Sequence, residues 1–351
     1  VEAVVQLYCN PMPTIRLRYD ELHAALRQAL ARAGMEPDRA ERCARMFADA
    51  TLDGVATHGI NRFPRFMAMV ESGLVDVNAR PRRVGSHGAI ERWDGNGGPG
   101  NLNAAESMAA AIDLSRRHGI GCVALANTNH WMRGGAYGWQ AAEAGAIAIC
   151  WTNTLPNMPP WGSALPRVGN NPLVVAVPRP PAHVVLDMAM SQFSVGALGA
   201  YRARGEALPV SGGFDERGEL TRDAAAIEAT KRLLPIGCWK GSGLALMLDL
   251  VAAMLSRGRA THEVAPNPEA ETALSQVFLA FSPEVAGGSV AIAALAEDVL
   301  QHFAGRDVDS AAVAVRYPGE RAFETRQRNL REGIPVDAEV WERILSERGR
   351  D

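Results

Sequence analysis

Cysteine is scarce and scattered: Cys9, Cys43, Cys122, Cys150 and Cys238 are the five in 351 residues, and no two form a CxxC pair. An odd, dispersed set builds neither a disulfide framework nor a structural zinc site, and it suits a reducing, cytoplasmic setting. Positive charge is equally unclustered. The net charge is −3, with no basic block and no interleaving of basic and aromatic residues, so nucleic acid is not an expected partner. Neither His58 nor His130 has a second histidine at HxxxH or HxH spacing, which argues against a catalytic metal. Long uninterrupted apolar runs are missing too. The most apolar one, Leu244 to Leu255, contains Asp249 and is too short to cross a bilayer, so a buried helix is expected there and no membrane partner. Residues 1–13 lack the basic start, apolar stretch and small-residue cleavage site of a secretory signal, and a disordered appendage is expected.

What is present is an ordinary soluble balance, 47% hydrophobic and 21% charged, long enough for more than one core. Leu22, Leu26 and Leu30 recur every four residues before Gly34, the pattern of an amphipathic helix with a glycine stop. Pro37 suits the first turn of a second helix whose inner face carries Ala40, Cys43, Met46 and Phe47. A third, from about Asn61 to Ser72, points Phe63, Phe66, Met67 and Val70 inward. From Arg82 the texture changes to β-like runs at 89–93, 121–126, 146–152, 173–177 and 184–187, with helices at 103–118 and 138–144. This is an α/β or α+β middle region whose strand pairing spacing alone leaves open. The helix from Leu244 to Ser256 is apolar nearly all round, which predicts burial on every side, in a core or at a subunit interface. A further apolar run, Val277 to Phe281, and a terminal helix near 337–347 complete the chain.

Four segments carry candidate chemistry. Gly95-Asn96-Gly97-Gly98-Pro99-Gly100 satisfies GxGxxG between a strand and a helix, yet Pro99 removes a backbone donor and no acidic residue follows the next strand. A surface loop is therefore expected rather than a Rossmann phosphate cradle. Thr57-His58-Gly59-Ile60-Asn61-Arg62 sets an imidazole and a guanidinium four residues apart at a helix mouth, where one can exchange a proton with a carbonyl oxygen and the other hold a neighbouring carboxylate. The alternative is a helix-capping or core histidine. Asn129-His130-Trp131-Met132-Arg133-Gly134-Gly135 concentrates polar groups after a strand end, although Trp131 and Met132 could equally pack and His130 could be a satisfied core residue. Trp239-Lys240-Gly241-Ser242-Gly243 offers an aromatic face, a cation and backbone donors at a helix start, suited to an anionic nucleotide or simply to a tight turn.

Taken together, Thr57 to Phe66, Asn129 to Glu143, Cys150 to Asn153, Met158 to Gly162 and Trp239 to Gly243 resemble the malate/L-lactate dehydrogenase-like family of nicotinamide-dependent reductases, over about Ile15 to the carboxyl end. The resemblance implies a non-Rossmann dinucleotide-binding domain with a mainly antiparallel or mixed sheet, residues 86–244. It also implies a helical domain from both chain ends, 14–85 and 245–351, and a homodimer. His58 becomes the proton donor, Arg62 the carboxylate anchor, and Asn129 and His130 substrate contacts. Cofactor contacts fall on His183, Val184, Val185, Leu186, Asp187, Met188 and Ala189, on Trp239 and Lys240, and on Gly319, Glu320 and Arg321. The loop Arg179–His183 is one residue longer than in relatives, and Thr57 replaces their usual serine. The expected cofactor is NADH, with NADP(H) possible, and the expected substrate a sugar-derived 2-oxo acid; malate, lactate, sulfolactate, ureidoglycolate and cyclic imino acids are the family's other substrates. Asp187, an acid at a strand end, is the candidate to orient His58. From other classes, a His-dependent hydrolase or lyase and a silent nicotinamide-binding protein are the alternatives.

Overall fold

The computed structural model describes residues 14–304 and 315–348; the appendage expected at 1–13 lies outside them. The chain opens with β1 (Thr14–Leu17), α1 (Tyr19–Arg32), α2 (Pro37–Leu52) and α3 (Phe63–Glu71). It then builds the main sheet region through β2 (Arg82–His87), β3 (Ile90–Asp94), α4 (Gly100–His118), β4 (Ile120–Thr128), α5 (Gly135–Glu143), β5 (Ile147–Thr152), β6 (Leu173–Val177) and β7 (Val184–Met188). Next come α6 (Val195–Arg204), β8 (Gly213–Phe214), β9 (Leu220–Thr221) and α7 (Ala224–Thr230), whose Leu198, Ala224 and Ile227 join the core under the sheet. After them come α8 (Trp239–Ser256), β10 (Leu274–Phe281), α9 (Ser289–Ala304), α10 (Glu320–Glu332), β11 (Ile334–Asp337) and α11 (Ala338–Arg348).

The helical unit does come from both ends of the chain. Antiparallel pairing of β1 with β11, Thr14 opposite Asp337 and Leu17 opposite Ile334, ties the ends together. Around that ribbon Leu22, Leu26, Leu30, Phe47, Phe63 and Phe66 pack with Trp341 and Ile344 in one core. The four-residue spacing of Leu22, Leu26 and Leu30 is what turns one face of α1 inward.

Seven strands form the central sheet in the order β2-β3-β4-β10-β5-β6-β7. Only the β3–β4 pair is parallel, joined by the α4 crossover; every other neighbouring pair is antiparallel. The sheet is thus mixed and mainly antiparallel. Its central strand is β10, and this corrects the expected domain limits. The run 277–281 falls within the expected helical domain but is strand: Phe278 and Ala280 face the core under α4 and α5 while Val277 faces the core under α8. A strand covered on both faces reads as continuous apolar sequence, so no alternation betrays it. With β10 go α8 and α9, the latter lining one apolar pocket with its Ile292 and Leu295 opposite Val177 and Val184 of the sheet. Only α10, β11 and α11 return to the helical unit.

Two other expectations change. The helix expected from Asn61 is preceded by two 3-10 turns, Ala56–His58 and Ile60–Arg62, and regular helix begins at Phe63 with Pro64 in its first turn. Helix α8 is not buried on every side. Leu248 and Ala252 pack on the sheet, and its one acidic residue, Asp249, turns inward to accept from Thr261 N and Asn153 Nδ2, both at 2.9 Å. The opposite face leaves Leu246, Met247 and Met254 exposed. Among described helices it is the one long and apolar enough to span a membrane.

Phe278 anchors the inner layer, with ring centroids 6.2 Å from Trp131 and 5.9 Å from Tyr137 in edge contacts. Phe278→Ala is expected to destabilise the protein by about 3–5 kcal/mol, read as a lower urea midpoint with an unchanged slope.

Candidate active site

His58 owes its position to the end of α2. The Thr51 hydroxyl donates to Phe47 O at 2.8 Å and accepts from Ile60 N at 2.9 Å, strapping the following turn to the helix. Gly59 lies so close that a Cβ there would stand 2.3 Å from Thr51 Oγ1 and 2.9 Å from Phe47 O. Only glycine passes, and the imidazole before it is held facing away from α2. It stacks on His130, with centroids 5.8 Å apart and planes 18° from parallel. Thr57 Oγ1 lies 3.2 Å from its Nδ1, so in the imidazolium form Nδ1–H donates to the hydroxyl and Nε2–H is left to point elsewhere.

The segment after β4 separates into packing and polar parts. Trp131 is buried beside Tyr137, whose hydroxyl donates to Trp131 O. Met132 takes a left-handed backbone, φ 62°, and its N–H donates to His130 Nδ1 at 3.0 Å. The neutral ring of His130 therefore carries its proton on Nε2, as a donor. Arg133 is buried against Asp53, and the same carboxylate accepts from Arg326 Nη1 at 2.8 Å while Arg326 Nη2 donates to Asp49 at 2.8 Å. One acid thereby fastens α2, α10 and the His130 loop. Asn129 Nδ2 donates to Gly97 O at 2.8 Å and Gly98 O at 2.9 Å, which leaves only its buried Oδ1 unpartnered.

That contact revises the reading of the GxGxxG loop. It is no surface loop: Gly95, Gly98, Pro99 and Gly100 are buried. A Cβ on Gly100 would meet Asn129 O at 2.2 Å and His130 O at 2.3 Å. Gly95, Gly98 and Gly100 serve close packing beneath the two-histidine cleft, while Gly97 supplies a positive φ.

Charge in the cleft is strongly biased. Arg62 Nη2 lies 3.7 Å from Glu271 Oε2, and Glu271 also accepts from Leu155 N at 3.1 Å. Burial, with repulsion from Arg65, brings the Arg62 pKa down to about 10. Arg65 is lowered as well, again by burial, while burial raises Glu271 against the pull of both arginines. The His58 pKa is lowered by burial and by Arg62 and Arg133, with Asp187 opposing. His130 is driven well below the ordinary histidine value by burial and then by Arg62, His58 and Arg65. Asp187 makes no hydrogen bond to His58; it accepts from Gly135 N at 2.8 Å, at the start of α5.

The three expected cofactor segments, far apart in sequence, converge on β7. Val185 N donates to Pro318 O at 2.9 Å, and Gly319, at φ 97°, sits where a Cβ would be 3.0 Å from His183 O. At the other end Ile236 N donates to Met190 O at 2.8 Å, bringing the turn before Trp239 and Lys240 alongside the strand's continuation. Asp187, Trp239 and Lys240 are exposed, while Leu186, Met188 and Ala189 are half-buried and Val185 packs inward. His183 is spoken for: it packs edge-on against Trp139 and its Nδ1 accepts from Arg179 N at 2.9 Å. Glu320 and Arg321 begin α10. An edge strand flanked by a glycine whose positive φ strains any side chain, an exposed indole and an exposed ammonium fits an extended dinucleotide. No group of three or more candidate metal ligands occurs among the described residues.

Arg65, Glu271, Asp53 and Arg326 escaped the sequence reading. Arg65 had a signal, its i+3 spacing from Arg62 on one helical face. Glu271 had none, arriving from a loop remote in sequence.

The sequence profile of the malate/L-lactate dehydrogenase family matches residues 17–345. The chain belongs to that family. It is 44% identical over 330 residues to the 2,3-diketo-L-gulonate reductases of Citrobacter koseri and Salmonella newport, in each case covering 94% of this chain and 99% of the relative. Among solved structures, sulfolactate dehydrogenase of Methanocaldococcus jannaschii superposes with a TM-score of 0.87 at 26% identity, over 96% of this chain and 98% of that one. The protein is thus an NAD(P)-dependent oxidoreductase of the 2-oxo acid dehydrogenase type, and the hydrolase or lyase alternative falls away.

Asp53→Ala leaves the buried Arg133 guanidinium without its anion. A loss of about 3–5 kcal/mol is expected by chemical denaturation, and much less when Arg133→Met is added, because the stranded charge is then gone.

Proposed function

We propose that the protein reduces 2,3-diketo-L-gulonate, or a near relative among sugar-derived 2-oxo acids, to the 2-hydroxy acid 3-dehydro-L-gulonate with NADH. The observation that carries this reading is the placement of His58 against His130 with Arg62 in the same positively charged cleft, in a chain 44% identical to reductases of that name. NADPH, and the family's malate, lactate, sulfolactate, ureidoglycolate and cyclic imino acid substrates, are the competing choices.

When bound, reduced nicotinamide supplies the hydride that goes to the 2-oxo carbon. Residues 183–189, 239–240 and 319–321 hold the dinucleotide along β7. Arg62 pairs with the substrate carboxylate and fixes the carbonyl. As negative charge grows on the carbonyl oxygen, His58 Nε2–H transfers its proton there, with Thr57 steadying Nδ1, and the neutral imidazole is left behind. His130 Nε2–H donates to a substrate oxygen, and Asn129 Oδ1 accepts from a substrate hydroxyl. Asp187 acts on His58 through its charge.

Two further proposals concern context. The exposed apolar face of α8 meets a second copy of the chain, giving a homodimer that carries Trp239 and Lys240 beside the contact. Free thiols at Cys43, Cys122, Cys150 and Cys238 fit a cytoplasmic protein.

Absorbance of reduced nicotinamide, followed with NADH and NADPH against a panel of 2-oxo acids, tests the assignment. Turnover with the diketo acid is expected, and absence of turnover with every 2-oxo acid refutes it. His58→Ala should lower kcat by about 10²–10⁴ while fluorescence titration shows unchanged NADH affinity. The pH profile has a definite sign. Proton donation requires imidazolium, and because burial and the two guanidiniums lower the His58 pKa, kcat/KM for reduction should fall as pH rises through a value below about 6.5. Oxidation of the hydroxy acid, which uses the neutral ring, should rise through the same value; an inflection well above it contradicts the assignment.

A further inference from the structure

Arg62 closes a 3-10 turn and Arg65 lies in the first turn of α3, so the two guanidiniums leave one face of the chain. One buried carboxylate, Glu271, serves both, and the exposed Glu269 adds only its charge at Arg65. Arg62 reaches it at 3.7 Å. Arg65 forms no hydrogen bond through Nε or Nη2, although both atoms are buried. Arg39 and Arg133 each leave one buried nitrogen unpartnered as well, Nη1 and Nε, but both are otherwise anchored, Arg39 by Val77 O and Ala79 O and Arg133 by Asp53; Arg65 alone among the three leaves a whole Nε/Nη2 edge without an acceptor. Nε–H and one Nη2–H point the same way along one edge of the guanidinium plane, the edge that grips a carboxylate or two adjacent oxygens. A buried donor pair without an acceptor is unfavourable and rare in native proteins. An acceptor in the working complex removes the penalty.

Position narrows what that acceptor is. His130 stacks on His58 at 5.8 Å, and the charges of both Arg62 and Arg65 reach it. A 2-oxo acid with its carbonyl oxygen at His58 and its carboxylate at Arg62 therefore extends its remaining carbons past His130 toward Arg65. We propose that Arg65 is a specificity-determining residue whose Nε/Nη2 edge takes the oxygens on the substrate carbons beyond C2. The cleft thereby selects 2-oxo acids bearing adjacent oxo or hydroxyl groups over bare short chains. The proposal rests on the reductase reading above and names the part of the substrate that this reading left without a partner.

The test compares kcat/KM with NADH for 2,3-diketo-L-gulonate, pyruvate and oxaloacetate in the wild type, Arg65→Met and Arg65→Lys, with NADH affinity measured by fluorescence in each. Arg65→Met is expected to lose about 10- to 100-fold on the diketo acid and less than about 3-fold on pyruvate, which has no oxygen beyond C2. Arg65→Lys, which keeps the charge but not the fork, should fall between. Equal losses on all three substrates, or a loss confined to oxaloacetate, overturn the proposal, the latter in favour of a second carboxylate. A wild type that oxidises NADH with none of the three overturns the assigned reaction itself, a result distinct from any loss confined to the variants.

Discussion

Positive charge is crowded into the cleft of this protein beyond what its own carboxylates balance. Arg62 and Arg65 share one buried acid, Glu271, beside two stacked imidazoles; exposed Glu269 adds its charge at Arg65 and Asp187 its charge at His58. Burying cations without partners is unfavourable, and here the imbalance is relieved in part by keeping His130 neutral and lowering the proton affinity of His58. An anionic substrate completes the compensation. Its carboxylate supplies the missing negative charge and, by the same field, restores proton affinity to the imidazole that must act as acid. Binding and readiness for proton transfer are thereby linked.

Such a charge arrangement requires a stiff frame. Gly59 is pressed against α2, Gly100 against the backbone of Asn129 and His130, and Asp53 joins the His130 loop to helices from opposite ends of the chain. The sheet supplies the rest. Because β10 runs through its centre with apolar residues on both faces, the layers above and below are fixed relative to each other, and the edge strand β7 is left open for the segments that gather along it. Asp187, near the end of β7, joins that strand to the start of α5 through Gly135 N.

Much of this was legible in the residues. The leucine spacing of α1, the glycine stops and the β-like runs place most elements, because local periodicity is set by which face is buried. His58 and Arg62 stood out through chemistry and spacing, and the family resemblance gave them their roles. What could not be read was long-range. Val277 to Phe281 looks the same in a buried strand and in a buried helix. The glycines at 95–100 mimic a phosphate loop although Gly95, Gly98 and Gly100 serve close packing, and the exposure of one side of α8 depends on what lies outside a single chain. Glu271 and Asp53 join the site through contacts with elements distant in sequence, for which no local pattern exists. Arg65 was visible beside Arg62, but its missing partner appears only once the chain is folded.

The central claim is that a substrate carbonyl sits between His58 and a nicotinamide lying along β7. A crystal structure of the protein with NADH and the unreactive 2-oxo acid analogue oxamate tests it most directly. The account predicts the nicotinamide ring against residues 183–189, the oxamate carboxylate on Arg62, and the analogue's amide carbonyl oxygen within hydrogen-bond reach of His58. A ring lodged away from His58, or oxamate bound with neither residue, would contradict it.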